Sequence, residues 1–178
     1  MYETLRHENL IIKIYQDENP ESPNDWECPE NGAFIVTTKN RHFQVLQKDY
    51  DVNTIAEHMQ THKLYHQHRV YPLFAYVHSG VSLSLGRGYP FNCPWDSGQI
   101  GYVLVNPKGI KDPDKTAESI VKTWNQYLSG DVYRIEIEDA DGNNLDSCCR
   151  FYGWEYAKDQ ALEMAKSVFE NLKTDLVI

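Results

Sequence analysis

At 178 residues, with 41% hydrophobic and 24% charged side chains, the chain has the length and composition of a globular protein with its own core. A formal net charge of -9 and a pI near 5.2 argue against the basic face that a phosphate-backbone binder needs, so direct nucleic-acid binding is not expected. There is no apolar run of the roughly 18 residues that a membrane span needs, MYETLRHENL does not read as a signal peptide, and four dispersed cysteines do not make a disulfide scaffold; a cytoplasmic, reduced setting without membrane contact is expected.

In chain order, LIIKIYQD (10–17) alternates apolar and polar residues and predicts a half-buried strand. ENPESPNDWECPENG (18–32), with three prolines and several acids, predicts a long loop. AFIVTTKN (33–40) predicts a second strand, expected to pair antiparallel with the first. NTIAEHMQTHKL (53–64) has Asn53 as an N-cap and Ile55, His58, Met59 and His62 at helical spacing. RVYPLFAYVHSG (69–80) and VSLSLG (81–86) predict a hairpin, with Pro72 near its start or at an edge.

QIGYVLVN (99–106) predicts a further strand, and DPDKTAESIVKTWNQYLSG (112–130) a helix with acids in its first turn and Gly130 as its cap. Residues 131–154 predict a strand, a turn and a second strand, and 154–176 a closing helix with Ala157, Ala161, Met164, Val168 and Leu172 near helical spacing. With no repeat and no linker composition, the expectation over residues 1–178 is a single α+β domain: a mostly antiparallel sheet with two or three packed helices.

CPWDSGQIGY (93–102) concentrates the most reactive chemistry. Pro94 fixes a dihedral, Gly98 and Gly101 permit unusual backbone, and Asp96 and Ser97 are expected to cap backbone N–H groups locally. This turn reading is preferred, so no catalytic residue is expected. The alternative is a hydrolase or transferase with Cys93 as nucleophile, His78 as base and Asp96 as orienter, although neither a nucleophile elbow nor a papain-like signature is present. A further alternative is nucleotide sequestration by stacking on Trp95 and Tyr102, with Arg87, Arg150 or helix N-termini facing the phosphates.

His58 and His62 at i, i+4, with His66 and His68 close behind, suggest a zinc site that Cys148 or Cys149 would complete. The HExxH order is missing, because Glu57 precedes His58, and solvated histidines are the preferred reading; no metal or other cofactor is expected. DADGNNLD (139–146) has the look of a calcium loop, but aligning Gly142 with the loop glycine puts Ile137 where an acid is required, so a hairpin turn is expected. The loop DENPESPNDWE (17–27) sets Asp17, Glu18, Glu21, Asp25 and Glu27 around Trp26, an aromatic anchor amid carboxylates suited to a basic protein surface.

Taken together, IYQDENPESPNDW, HSGVSLSLGRGYPFNCPWDSGQIGY and WNQYLSGDVYRIEIED followed by LDSCCRFYG resemble a widespread family of small uncharacterised proteins carried by bacteriophages, plasmids and other mobile elements. Its pattern is an SPxxW acidic loop, an HSG turn, a CPWDSGQxGY loop and a DSCxxFYG strand, and Arg150 stands where a glycine is common. The matching polar positions are Ser22, Trp26, His78, Ser79, Cys93, Trp95, Asp96, Ser97, Gln99, Asp146, Ser147, Cys148 and Tyr152. The resemblance implies a mobile-element accessory protein of a bacterial host's cytoplasm. With the acidic charge, it implies a non-enzymatic protein that binds and inhibits a host defence factor, of anti-restriction or anti-CRISPR type, the partner being a host protein that itself handles nucleic acid. The expected partner-binding residues are Glu21, Asp25, Trp26, Glu27, Trp95, Asp96, Ser97 and Gln99.

Overall fold

A computed structural model describes residues 2–23, 33–37, 68–86, 91, 93 and 95–175. In chain order the elements are β1 (Tyr2–His7), β2 (Leu10–Gln16), β3 (Ala33–Thr37), β4 (Arg69–Val77), β5 (Val81–Leu85), β6 (Ser97–Val105), α1 (Pro113–Leu128), β7 (Val132–Glu138), β8 (Asn144–Tyr152) and α2 (Trp154–Asp175). The expected α+β class is present, with every strand pairing antiparallel. The helix expected over 53–64 lies outside the described residues. The chain divides into two compact units, Met1–Glu21 with Gly130–Ile178, and Ser22–Ser129.

The first unit holds a sheet of order β1-β2-β7-β8. Alternation in LIIKIYQ puts Leu10, Ile12 and Ile14 on one face, and the register sets Ile12 opposite Ile137 and Ile14 opposite Ile135. All five side chains are buried, each worth about 1.5–3 kcal/mol relative to exposure. Helix α2 covers them with Ala157, Ala161 and Ala165, whose four-residue spacing makes a small-residue stripe. On other strand positions, polar side chains pair: Lys13 Nζ donates to Glu138 at 2.7 Å, which raises the lysine pKa, and the Arg134 guanidinium sits 4.4 Å from the Tyr15 ring centre. Strand β1 was not expected from the sequence.

Two details shape β8. Tyr133 faces Phe151 but Ile135 faces Cys148, so β8 carries an extra residue at 149–150, and Arg150 adopts φ +68°. Bulges of this kind usually seat a glycine. The β7–β8 connection is a turn closed by Asp139, whose carboxylate accepts from Asp141 N (2.9 Å), Asn143 N (2.8 Å) and Asn143 Nδ2 (2.8 Å), with Gly142 at φ +85°. The Asn143 side-chain amide, then its backbone N–H, hold the Asp139 carboxyl below its ordinary range. The hairpin turn expected for DADGNNLD is the observed structure.

The second unit holds a sheet of order β3-β6-β4-β5. The expected pairing of residues 10–17 with 33–40 is not formed: β2 lies between β1 and β7, and β3 pairs with β6 in the other sheet. Alternation marks a strand without naming its partner, and a long loop separates these two in sequence. Pro72 is the fourth residue of β4, near the strand's start as expected, although the strand lies between β6 and β5, and it faces Tyr102 of β6. It is tolerated because its carbonyl accepts from Gly86 N (3.2 Å) beyond the last residue of β5, so its missing N–H falls at the final rung.

Helix α1 starts where the sequence places it. The Asp112 side chain accepts from Lys115 N at 3.2 Å, Pro113 occupies the first turn, and Gly130 follows the Ser129 cap at φ +74°. Its buried Ala117, Val121 and Trp124 pack on Ile35, Leu73, Ala75, Leu83, Ile100, Val103 and Val105. Asn125 on the same helix reaches the edge strand β5, accepting from Leu83 N (2.7 Å) and donating to Leu83 O (2.9 Å).

Candidate functional site

The CPWDS turn leads into β6 beside the end of β4. Val77 N donates to Asp96 O at 2.7 Å, tying the turn to β4 through backbone alone. The Ser97 hydroxyl donates to the Cys93 carbonyl, closing the turn across four residues. The neighbouring HSG turn is set by His78 N donating to Gly80 O at 3.0 Å, with Ser79 at φ +54°. These bonds bring His78 to the Asp96 carboxylate, with Nδ1 3.7 Å from Oδ2. The Cys93 thiol points at the same oxygen from 3.5 Å.

The capping role expected of the Asp96 side chain is corrected by these contacts. Among the described residues the Asp96 carboxylate caps no backbone N–H: it takes the Cys93 thiol and lies 3.7 Å from the His78 imidazole, while the Ser97 hydroxyl donates to the Cys93 carbonyl. Gly98 and Gly101 are extended strand residues of β6, absent from the positive-φ positions. Turn chemistry was legible as turn chemistry, but the direction of each bond was not.

The residues of the catalytic alternative do meet, in an order unlike a nucleophile–base–orienter relay. The carboxylate lies between sulfur and imidazole, and among the described residues no hydrogen bond joins Cys93 to His78. A general base must reach the proton it removes. Here Asp96 occupies the place at the thiol that the imidazole would need. His78 is instead largely exposed, its side chain 68% accessible against 40% for Asp96.

Trp95, at the apex of the same turn, is 93% exposed. Near it in sequence, Phe91 stacks on Tyr76 with ring centres 5.6 Å apart and planes at 28°, and Tyr76 lies 6.1 Å from the His78 ring. Gln99 is exposed, its amide donating to Gly101 O at 3.2 Å. The turn therefore carries a bare indole next in sequence to the carboxylate that meets the Cys93 thiol and the His78 ring. Two open clefts of the same unit, one of 680 Å³ along β5 and α1 and one of 620 Å³ at the start of α1, include no residue of the turn.

The other expected site residues fall elsewhere. Asp25, Trp26 and Glu27 lie outside the described residues, as do His58, His62, His66 and Arg87. Glu21 belongs to the first unit, where the Arg150 guanidinium pairs with its carboxylate and the Tyr152 hydroxyl donates to its carbonyl at 2.8 Å. Tyr102 sits five residues along β6 from Ser97, roughly 16 Å at strand rise, between Val36 and Pro72, so it does not share a stacking site with Trp95. Cys148 and Cys149 are both exposed on β8, where the strand bulges. Among the described residues no three His, Cys, Asp or Glu side chains converge to hold a metal ion.

Sequence reading missed the Asn125 contact to β5, and also the Asp114 carboxylate that gathers the Tyr71 hydroxyl and Arg69 (3.4 Å). Burial, then the bond to Asp114, raises the Tyr71 pKa. Neither contact has a local signal, because 42 or more residues separate the partners. No protein-family model, curated protein or solved structure matches the chain. Among the described residues no helix is long and apolar enough to cross a membrane.

Proposed function

We propose that this is an interaction protein of a mobile genetic element, which docks on a host protein through the Trp95 turn and blocks a defence factor of anti-restriction or anti-CRISPR type. The carrying observation is Trp95, 93% exposed on a turn fastened by the Val77–Asp96 backbone bond and the Ser97–Cys93 bond. An exposed indole contributes nothing to a folded core, whereas tryptophan is among the residues that most often dominate binding energy at interfaces. The charge of -9 supports a partner with a basic surface, such as a protein that itself handles nucleic acid.

The test is a phage plating assay in restricting bacteria. Expression of the wild-type chain raises plating efficiency, and Trp95→Ala, at equal expression, does not. Equal plating with and without the wild-type protein across restriction and CRISPR hosts contradicts the reading.

A second reading, thiol-dependent hydrolysis or transfer at Cys93, draws on the nearness of the Cys93 thiol and the His78 ring to one Asp96 oxygen, although no hydrogen bond among the described residues joins thiol to imidazole. An activated thiol alkylates faster than its exposed neighbours despite being half-buried. Iodoacetamide labelling followed by mass spectrometry decides it, with Cys148 and Cys149 as internal references. Slower labelling of Cys93 than of both removes this reading.

A further inference from the structure

Trp95 and Asp96 are consecutive, both accessible, and held on a turn whose backbone bonds do not depend on their side chains. Within the carboxylate, Oδ2 accepts from the Cys93 thiol and lies 3.7 Å from His78 Nδ1, while Oδ1 has no hydrogen-bond partner among the described residues. An exposed indole and, on the next residue, a carboxylate oxygen attract a cation in two ways, through the ring quadrupole and through direct charge. Among protein cations the guanidinium suits both: it is planar, stacks on an indole, is weakly hydrated and donates in pairs to a carboxylate, whereas an ammonium is a compact, strongly hydrated point charge. The overall charge of -9 adds a field of the matching sign.

We infer that the Trp95–Asp96 turn receives an arginine side chain of the protein partner, with the guanidinium stacked on the indole and hydrogen-bonded to the Asp96 carboxylate. This rests on the docking role proposed for Trp95 and adds the chemistry of what docks there. The partner surface that fits is one presenting an accessible arginine, and replacing that arginine by lysine weakens the contact.

The experiment is a nuclear magnetic resonance titration of the full chain with an acetylated, amidated Gly-Arg-Gly-Arg-Gly peptide, followed at the Trp95 indole N–H. That cross-peak is assigned by its loss in Trp95→Phe. The expected result is a saturable shift with the arginine peptide, and at least five-fold weaker binding of the same peptide carrying citrulline, which keeps the shape and removes the charge. Asp96→Asn weakens the arginine peptide at least three-fold with no change in melting temperature. Equal affinity for arginine and citrulline peptides, or an indole cross-peak unmoved by either, overturns the inference. If that happens while Trp95→Ala still abolishes capture of the host partner, the arginine contact falls and the docking role stands. If Trp95→Ala leaves capture intact, the docking role itself falls.

Discussion

Substituting Asn125 by alanine probes the device that seals the edge of the β3-β6-β4-β5 sheet. The Asn125 amide acts toward β5 as a one-residue strand, accepting from Leu83 N at 2.7 Å and donating to Leu83 O at 2.9 Å. Leu83 is 4% exposed, but the open cleft along β5 and α1 lets water replace the lost partner in part. Losing two neutral bonds at about 0.5–1.5 kcal/mol each costs about 1–3 kcal/mol. Alanine's better helix propensity returns roughly 0.5 kcal/mol, leaving a net loss of about 0.5–2.5 kcal/mol. The helix end is unaffected, since Ser129 N bonds to the Asn125 backbone carbonyl at 3.0 Å. Urea melts measure the loss, and amide hydrogen exchange locates it: Leu83 N–H loses protection while β6 keeps it. Asn125→Asp is the sharper variant, because it retains an acceptor for Leu83 N–H but opposes a carboxylate to Leu83 O, so it is less stable than Asn125→Ala with better Leu83 protection. Unchanged Leu83 exchange in the alanine variant refutes the sealing role.

Three further outcomes are expected. Arg150→Gly is more stable than Arg150→Ala by about 1 kcal/mol in denaturant melts, because both lose the Glu21 ion pair and only glycine relieves φ +68°; equal stabilities contradict the left-handed bulge. Asp139 has a lowered pKa in the folded state, so its stabilising effect is present above its ordinary value of 3.8 and is lost as pH falls through the folded value; the stability gap between wild type and Asp139→Ala therefore narrows below about pH 4, and a constant gap contradicts the assignment. Asp96→Ala costs less than about 1 kcal/mol in thermal melts, because its exposed carboxylate satisfies no backbone N–H among the described residues; a larger loss restores the capping role.

What the sequence disclosed follows from range. Period-two alternation announced β2, and the 3.6-residue period announced α1 and α2, because each registers burial of one face by neighbouring residues. YETLRH lacks that alternation, since an edge strand need not bury a regular stripe, and β1 was not seen. The partner of β3 was misassigned because pairing is decided by contacts across the fold rather than by local pattern. At the site, proline, glycine, aspartate and serine together signalled a turn, whereas the placement of the Cys93 thiol and the His78 ring at one Asp96 oxygen is a contact across the fold. Their order around the shared oxygen, and the near-complete exposure of Trp95, depend on how β4 and β6 align and had no local trace. The left-handed backbone of Arg150 at the β8 bulge had no local sign either, because a non-glycine residue there does not announce a positive φ.

The most direct measurement compares capture of host proteins by immobilised wild type and by Trp95→Ala at low salt. Trp95 is 93% exposed, so the substitution changes stability by less than about 0.5 kcal/mol, and matched melting temperatures verify that the fold is intact. A hot-spot tryptophan contributes about 2 kcal/mol or more, which is roughly 30-fold in affinity. The docking role predicts a discrete host protein retained by the wild type and lost from Trp95→Ala at equal loading. Equal retention of that protein by both would contradict it.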